Sequence, residues 1–322
     1  MTGSSGTASS PDAPPGRPVQ FAVPIPQFSW PALDLRGLRG YLERAEELGF
    51  HGAWAQEESV GEHGALEPLA LLSHAAACTA RLRLGVAVLL TALRSPVPLA
   101  RTLATIDHLS QGRLEVGVGL GARSPFDAAF GLRRGERVAR FTEGLEIVRR
   151  LWTEERATVP GRFWRLDGLP MAPKPLQRPH PPIWIGAHDP RALRRAVELG
   201  DGFFGAGAAS TEQFEAQVAV VRRHLRELGR DPAGFRVAKR VYVMVEPDRA
   251  LGLRRLREWF GRYYRDEALA DRVALVGSVD HCVAGLRRVI AAGARLVLLN
   301  FVFDERASLE VAARELVPRL RG

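Results

Sequence analysis

Residues 82–122 restrict what this chain can fold into more than any other stretch. They read LRLGVAVLL, then TALRSPVPLARTLATIDHLSQGR, then LEVGVGLGA. The first run is apolar, β-branched and of strand length. Pro96 and Pro98 open a helix whose apolar positions Leu99, Leu103, Ile106 and Leu109 recur at helical spacing, and Gly112 stops it. Leu114 to Val118 is a second apolar strand. Neither strand alternates polar with apolar residues, so each is buried on both faces. A parallel sheet covered by helices requires that pattern.

The unit repeats along the chain. Strand-like segments are expected at Val19–Ile25, His51–Ala55, 82–90, Leu114–Val118, Ile183–Gly186, Gly202–Gly205, Phe235–Val245 and Leu296–Phe301. Helical patterns lie between them, and a last one covers Ala307–Leu320. Eight such alternations predict an α/β fold, a (β/α)8 TIM barrel forming one domain over residues 19–322. An open doubly wound sheet is the alternative, but no break divides the strands into halves. Phe163, Trp164 and Leu166 hint at a small hairpin, and prolines crowd 170–182. This is read as an insertion after the helix following strand 4. Residues 1–18 are Gly, Ser, Thr, Ala and Pro with almost no apolar content, the composition of a disordered tail.

Composition removes several functions. The formal charge is +9, but the arginines are scattered through helical patterns beside acids, as in Glu43-Arg44-Ala45-Glu46. A nucleic-acid binder clusters its basic residues, so no nucleic acid is expected as a partner. No apolar run reaches the ~18 residues of a membrane span, and no signal peptide is visible, which implies a cytoplasmic protein. Cys78 and Cys282 sit in apolar helical patterns without metal spacing, and no metal site is expected.

Four motifs carry chemistry. Gly117 to Ala122 has the glycine spacing of a dinucleotide fingerprint, but a Ser-Pro loop follows instead of a helix, so NAD binding is rejected. Those glycines instead bare the C-terminal end of a strand, where barrels build active sites and a flat ligand can approach. Gly186-Ala187-His188 runs into Asp189-Pro190 at a helix N-terminus, a place suited to a phosphate or to ordinary capping by Asp189. Lys239-Arg240 lies in an apolar strand, so one of the two must enter the barrel and find a buried carboxylate or a ligand anion. Glu57 and Glu58 end the second strand, and alternation lets one of them face the pocket.

The chain resembles the bacterial luciferase-like flavin and deazaflavin-dependent oxidoreductases. The resemblance rests on AEELGFHGAW (45–54), residues 81–121, ERVARFTEGLEIVRRLWT (136–153), PKPLQRPHPPIWIGA (173–187), AVELGDGFFGAG (196–207) and AGARLVLLNFVFDE (292–305). It implies a barrel, a homodimer, and reduced FMN or coenzyme F420 at the C-terminal rim. It places a bulge with a cis peptide at Ala87-Val88, with Leu89 beside it. Gly119 and Gly121 would flank the cofactor, and Gly186, Ala187 and His188 would hold its phosphate. The chain departs from the family in having Glu58 where many members carry a histidine, and Leu120 where luciferases carry a phosphate-gripping arginine.

Three functions follow as expectations. The first is a monooxygenase-like enzyme using reduced FMN and oxygen on a small organic substrate, with Glu58 as catalytic acid or base, Glu57 touching substrate, and a separate reductase supplying reduced cofactor. The second is F420-dependent hydride transfer. The third is a non-catalytic barrel serving as a binding or scaffold protein.

Overall fold

A computed structural model describes residues 18–30, 33–58 and 64–321. The tail expected at 1–18 therefore lies, apart from Pro18, outside the described residues. The chain opens with β1 (Gln20–Pro24), α1 (Leu38–Glu47), β2 (Gly52–Ala55), α2 (Pro68–Cys78), β3 (Arg83–Leu89), α3 (Pro96–Leu109), β4 (Leu114–Val118) and α4 (Arg137–Thr153). After the short strands β5 (Arg156–Pro160) and β6 (Arg165–Pro170), it resumes with β7 (Ile183–Gly186), α5 (Pro190–Leu199), β8 (Gly202–Gly205) and α6 (Thr211–Glu227). It ends with β9 (Arg236–Val245), α7 (Arg249–Tyr264), α8 (Leu269–Val273), β10 (Leu275–Gly277), α9 (Val279–Ala291), β11 (Leu296–Asn300) and α10 (Glu305–Val311).

The sheet runs β10-β9-β11-β1-β2-β3-β4-β7-β8, and β8 pairs with β9 to close it. Every pairing in it is parallel. Eight strands thus form a closed TIM barrel, and β10 is an extra strand beside β9. Three sequence expectations change. The hairpin exists, but its antiparallel strands are β5 and β6, and Phe163 and Trp164 lie between them. The Glu143 carboxylate accepts from the amides of Arg162, Phe163 and Trp164 and so shapes that turn. The last helix is not continuous to Leu320, because α10 stops at Val311, and a wider π turn over Ala312–Leu316 and a tighter 3-10 turn opened by Pro318 follow it. The strand β10, three residues long, carries too little pattern to be read in advance.

Inside the barrel, alternate residues of the strands meet. Ala22, Trp54, Ala87, Trp184, Phe204, Ala238, Leu296 and Leu298 form one buried cluster. Trp54 packs at 5.0 Å from Phe204 and 6.2 Å from Trp184, centroid to centroid. Burying each such ring contributes roughly 2–3 kcal/mol. A charged layer lies below, at the strand starts. Glu115, fully buried, accepts from Arg83 Nε, from Arg236 Nη1 at 3.3 Å and from Trp184 Nε1 at 2.8 Å. The barrel is a packed core closed at its N-terminal end, so chemistry is left to the opposite rim.

The other face of every strand packs against the helices. The scattered arginines sit on outer helix surfaces in pairs such as Arg39–Glu43, Arg150–Glu146 and Arg194–Glu198. Among the described residues no helix is long and apolar enough to cross a membrane. Nor do the described residues contain a cluster of His, Cys, Asp or Glu able to hold a metal.

Candidate active site

The C-terminal rim gathers most of the residues singled out from the sequence. On β3 the ladder to β4 shifts between Val86 and Leu89, and the Ala87–Val88 peptide is cis. The bulge sends three neighbours in three directions. Ala87 joins the barrel interior, Leu89 joins the packing beneath the helices, and Val88 stands at the mouth. Val88 fits there because two strand ends lack side chains. A Cβ at Gly119 would lie 2.6 Å from Val88 Cγ2, and one at Gly186 would lie 3.1 Å from Val88 Cγ1. Gly121, at φ +64°, closes over Leu90, where a Cβ would come within 2.5 Å of Leu90 Cδ2. Val88, Gly119 and Gly186 therefore make a ridge flanked by bare backbone, a surface on which a flat ring can lie.

Gly186 leads to His188 and to a groove of about 430 Å³ between α5 and α6, lined by His188, Leu193, Ala209, Gln213 and Gln217. Ala187 turns away and is buried under the helices. Among the described residues no lysine or arginine lines the groove. The amides that open α5 are already taken, since Asp189 accepts from Arg191 N and Ala192 N, both at 3.0 Å. Ser210 and Gln213 cap α6 reciprocally. Partial burial first, then the Lys239 charge, hold the His188 imidazole below its ordinary pKa against the opposing pull of Asp189. The groove is thus mostly apolar, with His188, Gln213 and Gln217 as its polar side chains, and Leu120 adds no charge: its carbonyl accepts from Arg137.

Alternation on β9 separates Lys239 from Arg240. Lys239 points outward, almost wholly buried, and donates to the carbonyls of Ala206, Ala209 and Arg240, which ties the loop before α6 to the strand. Among the described residues its hydrogen-bond partners are backbone oxygens rather than a carboxylate. Burial first, then the Arg240 charge, lower its pKa from 10.5 to about 7. Between those values the unfolded chain binds the extra proton, so this residue makes stability rise with pH from 7 to 10.5. Urea midpoints at pH 7.5 and 9.5 are expected to show the rise, and Lys239→Met is expected to flatten it. An unchanged slope in the variant would assign the effect elsewhere.

Arg240 enters the barrel. Its guanidinium donates to Gln56 Oε1 and, at 2.9 Å, to Tyr264 Oη. The hydroxyls of Tyr264 and Tyr242 are 2.9 Å apart, and Gln56 Nε2 donates to Asn300 Oδ1 at 3.2 Å. Gln27 holds the Gln56 backbone at both its amide and its carbonyl. Period two on β2, β9 and β11 was enough to place Gln56, Tyr242 and Asn300 on this face, yet they were not singled out. Tyr264 ends a helix, and no local signal brings it here.

The two glutamates part as alternation requires. Glu57 is occupied: its carboxylate accepts from Leu90 N and from Arg94, which also bridges to Glu67. It pins the end of β3 rather than facing the mouth. Glu58, half-buried, follows Gln56 on the same strand end, and its charge adds to burial and to Tyr264 in raising the Tyr263 pKa.

A family model described as luciferase-like monooxygenase matches residues 19–296. The chain belongs to that family. Among relatives of this luciferase-like chain, an F420-dependent glucose-6-phosphate dehydrogenase of Beutenbergia cavernae is 28% identical over 318 residues, covering 89% of this chain and 94% of that one. An uncharacterized protein of Mycobacterium tuberculosis is 42% identical over 122 residues, 38% of this chain, and the match spans only 43% of that relative's length. The solved monooxygenase RslO1 of Streptomyces bottropensis superposes with a TM-score of 0.78 at 29% identity, covering 93% of this chain and 99% of that one. Luciferase-like members include both F420-dependent and FMN-dependent enzymes.

Proposed function

We propose that this protein is an F420-dependent oxidoreductase that moves a hydride between the deazaflavin and a small organic substrate. The neutral groove beyond His188 carries the choice of cofactor. FMN ends in a phosphate monoester close to a dianion at neutral pH, whereas the F420 phosphate is a diester with a single charge. At the phosphate itself, a groove with one imidazole and two side-chain amides but no lysine or arginine suits the singly charged diester better than a dianion, with the glutamate carboxylates of the F420 tail left to solvent beyond it. The F420-dependent relative that aligns along nearly its whole length supports the same reading.

The residues present fit a tricyclic cofactor, because the Val88 ridge and the bare ends at Gly119 and Gly186 offer it a face. When bound, F420 supplies a carbon that gives or takes a hydride. Val88 would set the ring's depth from behind, and His188, Gln213 and Gln217 would meet its phosphate-bearing tail. Trp54, Trp184 and Phe204 close the floor and exclude water from below. Glu58, at the rim, would hold the proton that accompanies the hydride. Glu58→Gln is expected to lower turnover at least ~100-fold, the usual scale of a lost acid or base, with cofactor affinity kept; unchanged turnover would remove Glu58 from this role.

A second reading, a monooxygenase using reduced FMN and oxygen with a separate reductase, is favoured by the match to RslO1. Anaerobic titration with reduced F420 and reduced FMN, followed by absorbance and fluorescence, separates the two. Tighter binding of F420 supports the first reading and tighter binding of FMN the second. Binding of neither would leave a barrel that acts as a binding or scaffold protein.

A further inference from the structure

The two ends of the barrel treat their arginines differently. At the N-terminal end Arg83 and Arg236 share the Glu115 carboxylate. At the mouth the Arg240 guanidinium has Gln56 Oε1 and Tyr264 Oη as hydrogen-bond partners among the described residues, and its face lies 5.5 Å from the Tyr242 ring. Each of these partners is neutral. Burial raises the Tyr242 hydroxyl well above its ordinary pKa, so it stays un-ionised. Glu57, an acid of the nearby strand end, pairs with Arg94 instead. An arginine cannot shed its proton, and a half-buried charge with neutral partners favours a counter-charge. Two of its five N–H groups are engaged by these side chains, which leaves donors for a ligand.

We propose that Arg240, with the Tyr264 hydroxyl beside it, recognises a negatively charged oxygen group of the substrate, so that the substrates are small organic oxyanions. A carboxylate and a phosphate or sulfonate share the chemistry that this guanidinium reads; a planar carboxylate can take two parallel N–H donors. The inference rests on the barrel mouth being the substrate site of the proposed oxidoreductase. The fixed charge then orients the substrate in the mouth, across the barrel from the Val88 ridge. It also selects against neutral substrates of the same shape.

The test is a calorimetric titration of the full chain, alone and loaded with F420, with acetate, benzoate, methanesulfonate and inorganic phosphate. Acetamide and benzamide serve as neutral counterparts of the carboxylates. An anion is expected to bind at least about tenfold more tightly than its neutral counterpart, as a charge-assisted contact warrants. Arg240→Gln should abolish the preference, Arg240→Lys should keep part of it, and Tyr264→Phe should weaken anion binding a few-fold. Circular dichroism of each variant separates loss of the subsite from loss of the fold, and the tyrosine variant removes no more than a hydroxyl. The proposal is overturned if no anion is preferred, if Arg240→Gln keeps the preference, or if bound F420 abolishes it, since the counter-charge would then be the cofactor's. Failure of the functional reading would show separately, as a chain that prefers anions but binds no F420.

Discussion

Replacing Glu115 with alanine is expected to lower folding stability by about 3–5 kcal/mol, the scale of breaking a buried ion pair. The carboxylate is fully buried and bonded to Arg83, Arg236 and the Trp184 indole N–H. Its removal leaves two largely buried arginines without their shared counter-charge. Arg83 keeps Gln177 Oε1 at 2.9 Å and Arg236 keeps its stacking on Trp184 at 4.7 Å, but neither contact balances charge. Nearby His51 offers no relief, because burial lowers its pKa to about 4 against the pull of Glu115, and the two arginines lower it further. Glu115→Gln retains an acceptor and should fall between the variant and the parent. Denaturant midpoints for the three proteins decide the matter, and a loss below ~1 kcal/mol for the alanine variant would mean that water or relaxation compensates.

The second large effect concerns the rim. Gly119→Val is expected to weaken cofactor binding roughly 100-fold, or ~2.7 kcal/mol, while the protein still folds. Any Cβ at this position meets Val88 Cγ2 at 2.6 Å, so Val88 must move into the space where the ring would lie. Overpacking of this kind costs about 1–3 kcal/mol of stability. Adding Val88→Ala should recover much of that stability, since it removes the atom that clashes, without fully restoring affinity, since the ridge is gone. Fluorescence titration with F420 or FMN gives the affinity and thermal unfolding gives the stability. Unchanged affinity in Gly119→Val would detach the ridge from cofactor binding altogether.

Both results bear on how the site is legible. Gly119, Gly186 and the Ala87–Val88 pair were visible in the sequence as glycine-bare strand ends and as a resemblance. Arg240 was visible as half of an ambiguous dipeptide. Its partner Gln56 lies 184 positions away, and Tyr264 arrives from the end of α7. Glu57 illustrates the limit from the other side: alternation removed one glutamate from the mouth without saying which, and Arg94 settled it by pairing with Glu57.

The sequence by itself determined the barrel, because strand and helix periods are local properties and eight apolar strands separated by helices have few ways to bury both faces. It also determined which strand ends were bare, since a glycine is bare wherever it folds. Tertiary structure alone decided where the charges went. Closure of β8 onto β9 brought Arg236 to Glu115 and opposed Arg240 to Gln56, and it turned Lys239 onto three backbone carbonyls. Which charge finds which partner depends on register and shear around a closed ring, and no window of local sequence contains that information.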